Sequence, residues 1–323
     1  MIFRTLKFAL LLFLLSPVAL ADSSGLSPKA EAAVEATVHK FMKAHGLDGV
    51  GLGILSNRRM VYANGFGNVN RYSPVDIASL SKSLTAILAM RLSEQGKLDL
   101  DAPVTRYLPD LDLPSSVTSR SILSHSSGLP HYGSHFPGSH FSLKNFTKSS
   151  VTSSTGSYLY SSPGYFLLSR VLEKAGGKDY LELIHSEICR PSYASKAQVS
   201  LHPAVAWRLG AGGLEASPEA MTRIVYALMQ GRLVKSENLS QMWSEQVPVP
   251  GSQAGQGLGF RVEGDSKVWH GGQHSKLGQY NRLVLYPRKG HGMIVLVRAS
   301  RKFTPGKLST ELYRALKAAG HKF

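Results

Sequence analysis

The sequence predicts an α+β fold, in which an antiparallel sheet is flanked by N- and C-terminal helices and an all-α lobe is inserted between two groups of strands. Three observations predict it. Both ends of the chain carry helical periodicity, strand-like segments lie just inside each of those ends, and the middle is helical or loop-rich. Strands separated by so long an insertion form one sheet most simply when the middle folds as a lobe of its own. A cleft between the lobes is then the expected place for a site.

Taken in order, Ser27 to His45 reads as an amphipathic helix. Ala30, Ala33, Val34, Thr37, Val38 and Phe41 recur at helical spacing, and Gly46 closes it. Val50 to Leu55 and Met60 to Ala63 flank Ser56-Asn57-Arg58 as a hairpin. Leu80, Leu84, Ile87, Leu88 and Leu92 share one face of a helix over residues 80–95. From Ser115 to Ser162 the chain carries 17 serines among Gly and Pro, a loop-rich stretch of the kind that is usually functional or mobile. Helices are expected over Gly164 to Ala175 and Pro218 to Gln230. Strands follow over Leu258 to Glu263, Lys267 to His270, Gln279 to Tyr286 and Gly292 to Arg298, and Thr304 to Ala319 reads as a closing helix.

Composition excludes several classes. Of 323 residues, 43% are hydrophobic and 18% charged, which suits a packed core and not a disordered chain. The single cysteine, Cys189, forms no intrachain disulfide and reads as a small buried hydrophobe. Residues 1–21 read as a secretory signal peptide: Arg4 and Lys7, the apolar run Phe8 to Leu15, then Ala19-Leu20-Ala21 as a small-x-small cleavage site. That run is too short to span a bilayer. The mature chain is therefore expected to be exported, periplasmic or secreted, from about Asp22. The formal charge of +16 falls to +14 without Arg4 and Lys7. Arg288 to Phe323 holds nine Lys or Arg against Glu311 alone, so an anionic envelope surface is a better partner than nucleic acid for an exported chain.

Chemistry enters at Ser79-Leu80-Ser81-Lys82, the only S-x-x-K in the chain. Positions three apart share a helix face, so Ser79 and Lys82 can hydrogen-bond. A serine hydroxyl needs a base to become a nucleophile, and a lysine serves when desolvation or nearby positive charge lowers its pKa. The N–H of Ser79 at the helix start is a ready oxyanion donor. His131, His135 and His140 lie among Gly, Pro and Ser with no cysteine or carboxylate nearby, so no metal is expected. Neither a G-x-S-x-G elbow nor a phosphate-binding G-x-x-x-x-G-K-[ST] loop is present.

Around this motif the chain resembles the class C β-lactamase and penicillin-recognising serine hydrolase family. The resemblance rests on Ala78 to Ala86, Gly96 to Val104, Tyr107-Leu-Pro109, Ile122 to Pro130, Tyr160 to Tyr165, Ala211-Gly-Gly-Leu214, Gly257-Leu-Gly-Phe260 and His270-Gly-Gly272. These segments run in family order over about residues 27–320. The resemblance implies a β-lactamase/transpeptidase-like catalytic domain over 22–323, with an α/β lobe of about 22–78 and 245–323 and a helical lobe of about 79–244.

It also implies roles. Ser79 would be the acylated nucleophile, Lys82 its partner, and Tyr160 the tyrosine of the family's Y-x-N; either Lys82 or Tyr160 could be the base. His270-Gly-Gly272 stands where β-lactamases carry K-T-G, a form similar to D-aminopeptidases, DD-peptidases and esterases. The N–H of Gln273 would be the second oxyanion donor, with Gly272 allowing substrate backbone to approach and His270 orienting a substrate carboxylate or assisting Tyr160. Ser162 stands among the substrate-binding residues in place of the asparagine of Y-x-N, which in the family contacts the lysine and the substrate amide, and offers one donor where the amide offers two. The implied protein is an exported, cofactor-free serine hydrolase. It would act through an acyl-enzyme on an ester, a D-amino-acid peptide or a peptidoglycan-like, cell-wall-derived small substrate. Ser162 and His270 argue against the rival reading of a true β-lactamase. The set Ser79, Lys82 and Tyr160 argues against a non-catalytic envelope-binding protein.

Overall fold

The computed structural model describes residues 25–137 and 140–322. The expected signal segment lies outside the described residues. The N-terminal helix α1 (Pro28–His45) begins where the Ser27 side chain accepts from the Ala30 N–H and ends at Gly46 in the left-handed conformation. Then come β1 (Leu47–Ser56) and β2 (Arg59–Gly67), joined through Asn57 and Arg58, both at positive φ as a tight hairpin requires. The helical lobe follows, with β3 (Val75–Asp76), α2 (Ser81–Glu94), α3 (Ser119–Leu123) and α4 (Ser162–Gly176). Next are α5 (Tyr180–Leu183), a π-helical turn (Ile184–Cys189), α6 (Arg190–Ser192), β4 (Val199–Leu201) and β5 (Leu214–Ala216). Helices α7 (Pro218–Met229) and α8 (Ser236–Met242) lead to β6 (Gly255–Gln256), β7 (Arg261–Glu263), β8 (Lys267–His274), β9 (Gln279–Tyr286) and β10 (His291–Ala299). Helix α9 (Pro305–Ala318) closes the chain.

Strands from the two ends do form one antiparallel sheet, in the order β2-β1-β10-β9-β8-β7-β6. Strand β1 joins the two groups by pairing with β10, Val50 opposite Val297 and Leu52 opposite Val295. Side chains alternate across a strand, so these four residues and Ile54 share one face. There they pack with Ala30, Val34 and Val38 of α1 and Leu308, Leu312 and Leu316 of α9. The other face of β1 is Gly49, Gly51 and Gly53, and that is what lets α7 lie close. A Cβ on Gly51 would meet Pro218 at 2.6 Å, and one on Gly53 would meet Thr222 at 2.0 Å. Thus α7 covers the sheet on the side opposite α1 and α9, and joins a second core with α2, α4, Ile294 and Leu296.

Several elements differ from the sequence reading. The lobe expected to be all-α also holds a small antiparallel sheet in the order β3-β5-β4, and β8 runs four residues past the expected end at His270. The periodicity over 80–95 predicts one buried face, but α2 is the central helix of the lobe and buries its polar side too. Ser81, Lys82, Ser83 and Thr85 are all buried. Thr85 is satisfied there by the carbonyls of Ser81 and Gly210 and by the Tyr180 hydroxyl. The strand expected from Leu258 is only Arg261–Glu263, because Gly257 to Phe260 form a bend in which the Gly257 N–H bonds the Phe260 carbonyl.

Candidate active site

Ser79 sits in a 3-10 turn (Ala78–Leu80) that feeds directly into α2. The residue before it, Ala78, has φ 49°, a strained value for a side chain with a Cβ. Asp76 holds this turn by accepting the Ala78 N–H at 2.7 Å. Ser79 is partly exposed and faces a groove of about 570 Å³. Ser81, two residues on, is buried and committed elsewhere: it donates to the Ala78 carbonyl at 2.7 Å and accepts the Leu214 N–H at 3.2 Å. The hydroxyl that can meet a substrate is therefore that of Ser79.

One turn later, Lys82 lies fully buried. Its Nζ donates to Ser162 Oγ at 3.1 Å and to the Ala211 carbonyl, and lies 3.3 Å from Ser79 Oγ. No carboxylate pairs with it among the described residues. Burial first, and then the positive charge of Arg208, hold its pKa well below the usual lysine range, which makes the neutral amine available.

Tyr160 precedes α4 and donates its hydroxyl to Ser79 Oγ at 3.0 Å. Burial pushes its pKa up, against hydrogen bonds to Ser79 and Ser162 that pull it down, so it stands as a phenol. Its ring packs at 4.4 Å from His125 and 5.0 Å from His131 (centroid to centroid). His125 accepts the Ser161 N–H and His131 the Ser162 N–H, so both imidazoles fix the start of α4. Burial and nearby positive charge, Lys82 first, depress both, His131 to about 4.

The remaining wall is β8. Strand β7 pairs with it only as far as Arg261 opposite Trp269, so from His270 onward that edge faces the Ser79 turn. At Gly272 a Cβ would lie 2.5 Å from the Ile77 carbonyl and 3.3 Å from the Ser79 nitrogen, a gap only glycine fits. Gln273 is exposed beside it on the groove. His270 is buried, donates Nδ1–H to the Gly271 carbonyl at 2.6 Å, and is pushed down to about 3, chiefly by burial.

The structure thus brings Ser79, Lys82, Tyr160, His270, Gly272 and Gln273 to one place. Ser162 joins them from below: it is buried, does not line the groove, and hydrogen-bonds Lys82 and Tyr160. His135 and His140 do not join the groove lining, and the described residues hold no cluster of metal-ligating side chains. Sequence reasoning missed Asp76, Arg208, His274, Arg261 and Tyr158. Arg261 donates to the Tyr158 hydroxyl at 2.8 Å and stacks on its ring, and both line the groove. None of these five shares a spacing motif with Ser79.

A family model described as Beta-lactamase matches residues 34–318, and the chain belongs to that family of serine hydrolases. It is 23% identical to PbpX of Bacillus subtilis (strain 168), named as a penicillin-binding protein, over 86% of this chain and 78% of that one. Its fold is similar to an octameric penicillin-binding protein homologue from Pyrococcus abyssi (TM-score 0.77, 21% identity, 90% of this chain and 77% of that one). It is also similar to the D-amino acid amidase of Ochrobactrum anthropi SV3 (TM-score 0.75, 20% identity, 90% and 99%).

Proposed function

We propose that this protein is an exported hydrolase that cleaves an ester, or the amide of a D-amino acid or cell-wall peptide, through an acyl-enzyme on Ser79. One observation carries the reading: Ser79 Oγ is within hydrogen-bond reach of both Lys82 Nζ and the Tyr160 hydroxyl, at the wall of an open groove. Neutral Lys82 takes the Ser79 proton as Oγ attacks the substrate carbonyl. The N–H groups of Ser79 and Gln273 hold the oxyanion, each worth about 10²–10³ in rate. Tyr160 gives its phenolic proton to the leaving group and recovers one from the Lys82 ammonium. Water then attacks the acyl carbonyl and gives a proton to the neutral Lys82, and Ser79 Oγ takes that proton back as the acid leaves. Ser162 supports this by orienting Lys82, and His270 by bordering the groove as a neutral imidazole.

The groove supports the substrate class. The edge of β8 can pair with an extended substrate backbone. Arg261, Arg282 and Lys302 line the groove and, among the described residues, no Asp or Glu does, which favours a substrate carrying an acidic group. The names of the relatives, a penicillin-binding protein and a D-amino acid amidase, point the same way. Export rests on the signal-like N-terminal residues. The exposed cations Arg301, Lys302, Lys307, Lys317 and Lys322 suit an anionic envelope surface.

The test is a side-by-side assay of p-nitrophenyl butyrate, D-alanyl p-nitroanilide and nitrocefin, with N-terminal sequencing of the protein recovered from the cell envelope or medium. Turnover of the ester and D-alanyl substrates above nitrocefin, from a chain starting near Asp22, supports the reading. Preference for nitrocefin would make the protein a β-lactamase instead.

A further inference from the structure

Two strained turns flank the site, and one side chain ties them together. On one side, Ala78 (φ 49°) precedes the nucleophile. On the other, Leu209 (φ 44°, ψ −129°) breaks the turn over Ala206–Ala211, whose last carbonyl accepts from Lys82. Positive φ in residues with a Cβ is strained and persists only where the surroundings impose it. The bridge between the turns is His274, at the end of β8. Its Nδ1 lies 2.6 Å from Asp76 Oδ2, and its Nε2 lies 2.9 Å from Arg208 Nη1. Asp76 uses its other oxygen on the Ala78 N–H, and its carbonyl accepts from Asn281 at 2.9 Å. Arg208 stacks on the Trp207 ring at 4.8 Å.

The chemistry of the three groups sets the polarity of this chain. A guanidinium only donates and a carboxylate only accepts. The contact with Asp76 therefore uses the Nδ1 proton of His274, and the contact with Arg208 the Nε2 lone pair. Nothing in the covalent sequence links these residues, which come from three separate segments.

We propose that His274 is a positioning residue, the link of an Asp76–His274–Arg208 chain that holds the Ser79 turn and the Lys82-accepting turn in mutual register. Neither Asp76, His274 nor Arg208 needs to touch the substrate. The chain sets where Ser79 Oγ and Lys82 Nζ lie relative to one another. A misplacement of about 1 Å at reacting atoms can cost about 10²-fold in rate. The inference rests on the reading of Ser79 and Lys82 as reacting partners.

The experiment measures the rate of fluorophosphonate labelling, mapped to its peptide, and the kcat and KM of p-nitrophenyl butyrate from pH 5 to 10. The variants are His274→Leu, His274→Gln and Arg208→Gln, with Ser79→Ala as a control. His274→Leu loses both bonds and should slow labelling and kcat about 10- to 100-fold, with KM within about threefold. His274→Gln retains a donor and an acceptor at about the spacing of the ring nitrogens, and should recover to within about fivefold of wild type. Arg208→Gln removes the charge that depresses Lys82, so its rate profile should move to higher pH. A folded His274→Leu that labels at the wild-type rate overturns the proposal, and so does a His274→Gln as damaged as His274→Leu. Should His274→Leu not fold, wild-type labelling with an unshifted profile in Arg208→Gln overturns it equally. Ser79→Ala separates the two failures: if it still turns over substrate, the underlying reading falls, whereas an inert Ser79→Ala beside an unaffected His274→Leu rejects the positioning role alone.

Discussion

Tyr160 and Lys82 converge on one oxygen: the Tyr160 hydroxyl lies 3.0 Å from Ser79 Oγ and Lys82 Nζ lies 3.3 Å from it. The two groups are shifted in opposite directions from where each would be charged. Burial keeps Tyr160 a phenol and favours Lys82 as a free amine, so no net charge is buried beside the nucleophile. That division suits the proposed roles, in which the lysine accepts the proton and the tyrosine delivers one onward.

Groups acting on the same proton are not independent. Lys82→Ala and Tyr160→Phe should each lower kcat/KM by about 10²–10⁴-fold. The double variant should fall well short of the product of the two losses. Full additivity, measured with p-nitrophenyl butyrate, would mean that the two side chains serve separate steps.

Ser162 touches Lys82 and does not line the groove, so its hydroxyl should matter equally to all substrates. Ser162→Ala should cost about 5- to 10-fold in kcat/KM for ester and amide alike, the worth of one hydrogen bond. Ser162→Asn adds a second donor on a longer side chain and should favour nitrocefin over the ester by up to about 100-fold. Equal gains for both substrates would show that position 162 does not select between them.

Neighbouring glycines of β8 should respond differently. A Cβ at 272 would collide with the Ile77 carbonyl, whereas one at 271 would meet only the Asn281 carbonyl, at 3.9 Å. Gly272→Ala should therefore push the nucleophile turn aside and reduce labelling of Ser79 by about 10²-fold or more, while Gly271→Ala should cost far less. Similar losses in both would place the tight contact elsewhere.

Acid should destabilise the fold through its buried histidines. His270 titrates at about 3 in the folded chain, against 6.5 when unfolded. Between those values the unfolded chain binds a proton that the folded chain refuses. His270 therefore detracts nothing above about pH 6.5 and progressively more as pH falls toward 3, with a slope of up to about 1.4 kcal/mol per pH unit. His131, at about 4, acts in the same sense over a narrower window. Urea midpoints measured from pH 7 to 4.5 should fall with acid, and fall less steeply in His270→Gln. An unchanged slope would mean that His270 is protonated in the native state.

Much of this architecture was legible in the chain. Helices α1 and α7 follow from caps and apolar spacing, α9 from apolar spacing, and β9 matches its expected span, because each is decided by local pattern. The stretch from Tyr180 to Ser192 was not legible. Its π turn shifts the apolar phase, so that Leu183, Ile184, Ile188 and Cys189 are buried without a 3.6-residue repeat. Within the site, Ser79 and Lys82 show in sequence because one helical turn joins them, and Tyr160 because its segment resembles a family motif. Asp76, Arg208 and His274 left no such trace. Their contacts span 66 and 198 residues and arise only when β8 folds against the turn before α2.

The central claim is that Ser79 is the group that becomes acylated. Peptide mapping by mass spectrometry after reaction with a fluorophosphonate tests it most directly, with wild type and Ser79→Ala compared. One adduct is expected, on the peptide containing Ser79 and assigned by fragmentation to that residue and not to Ser81. For Ser79→Ala, no adduct and a loss of about 10⁴-fold or more in turnover are expected. An adduct on any other residue, or undiminished turnover by Ser79→Ala, would contradict the claim.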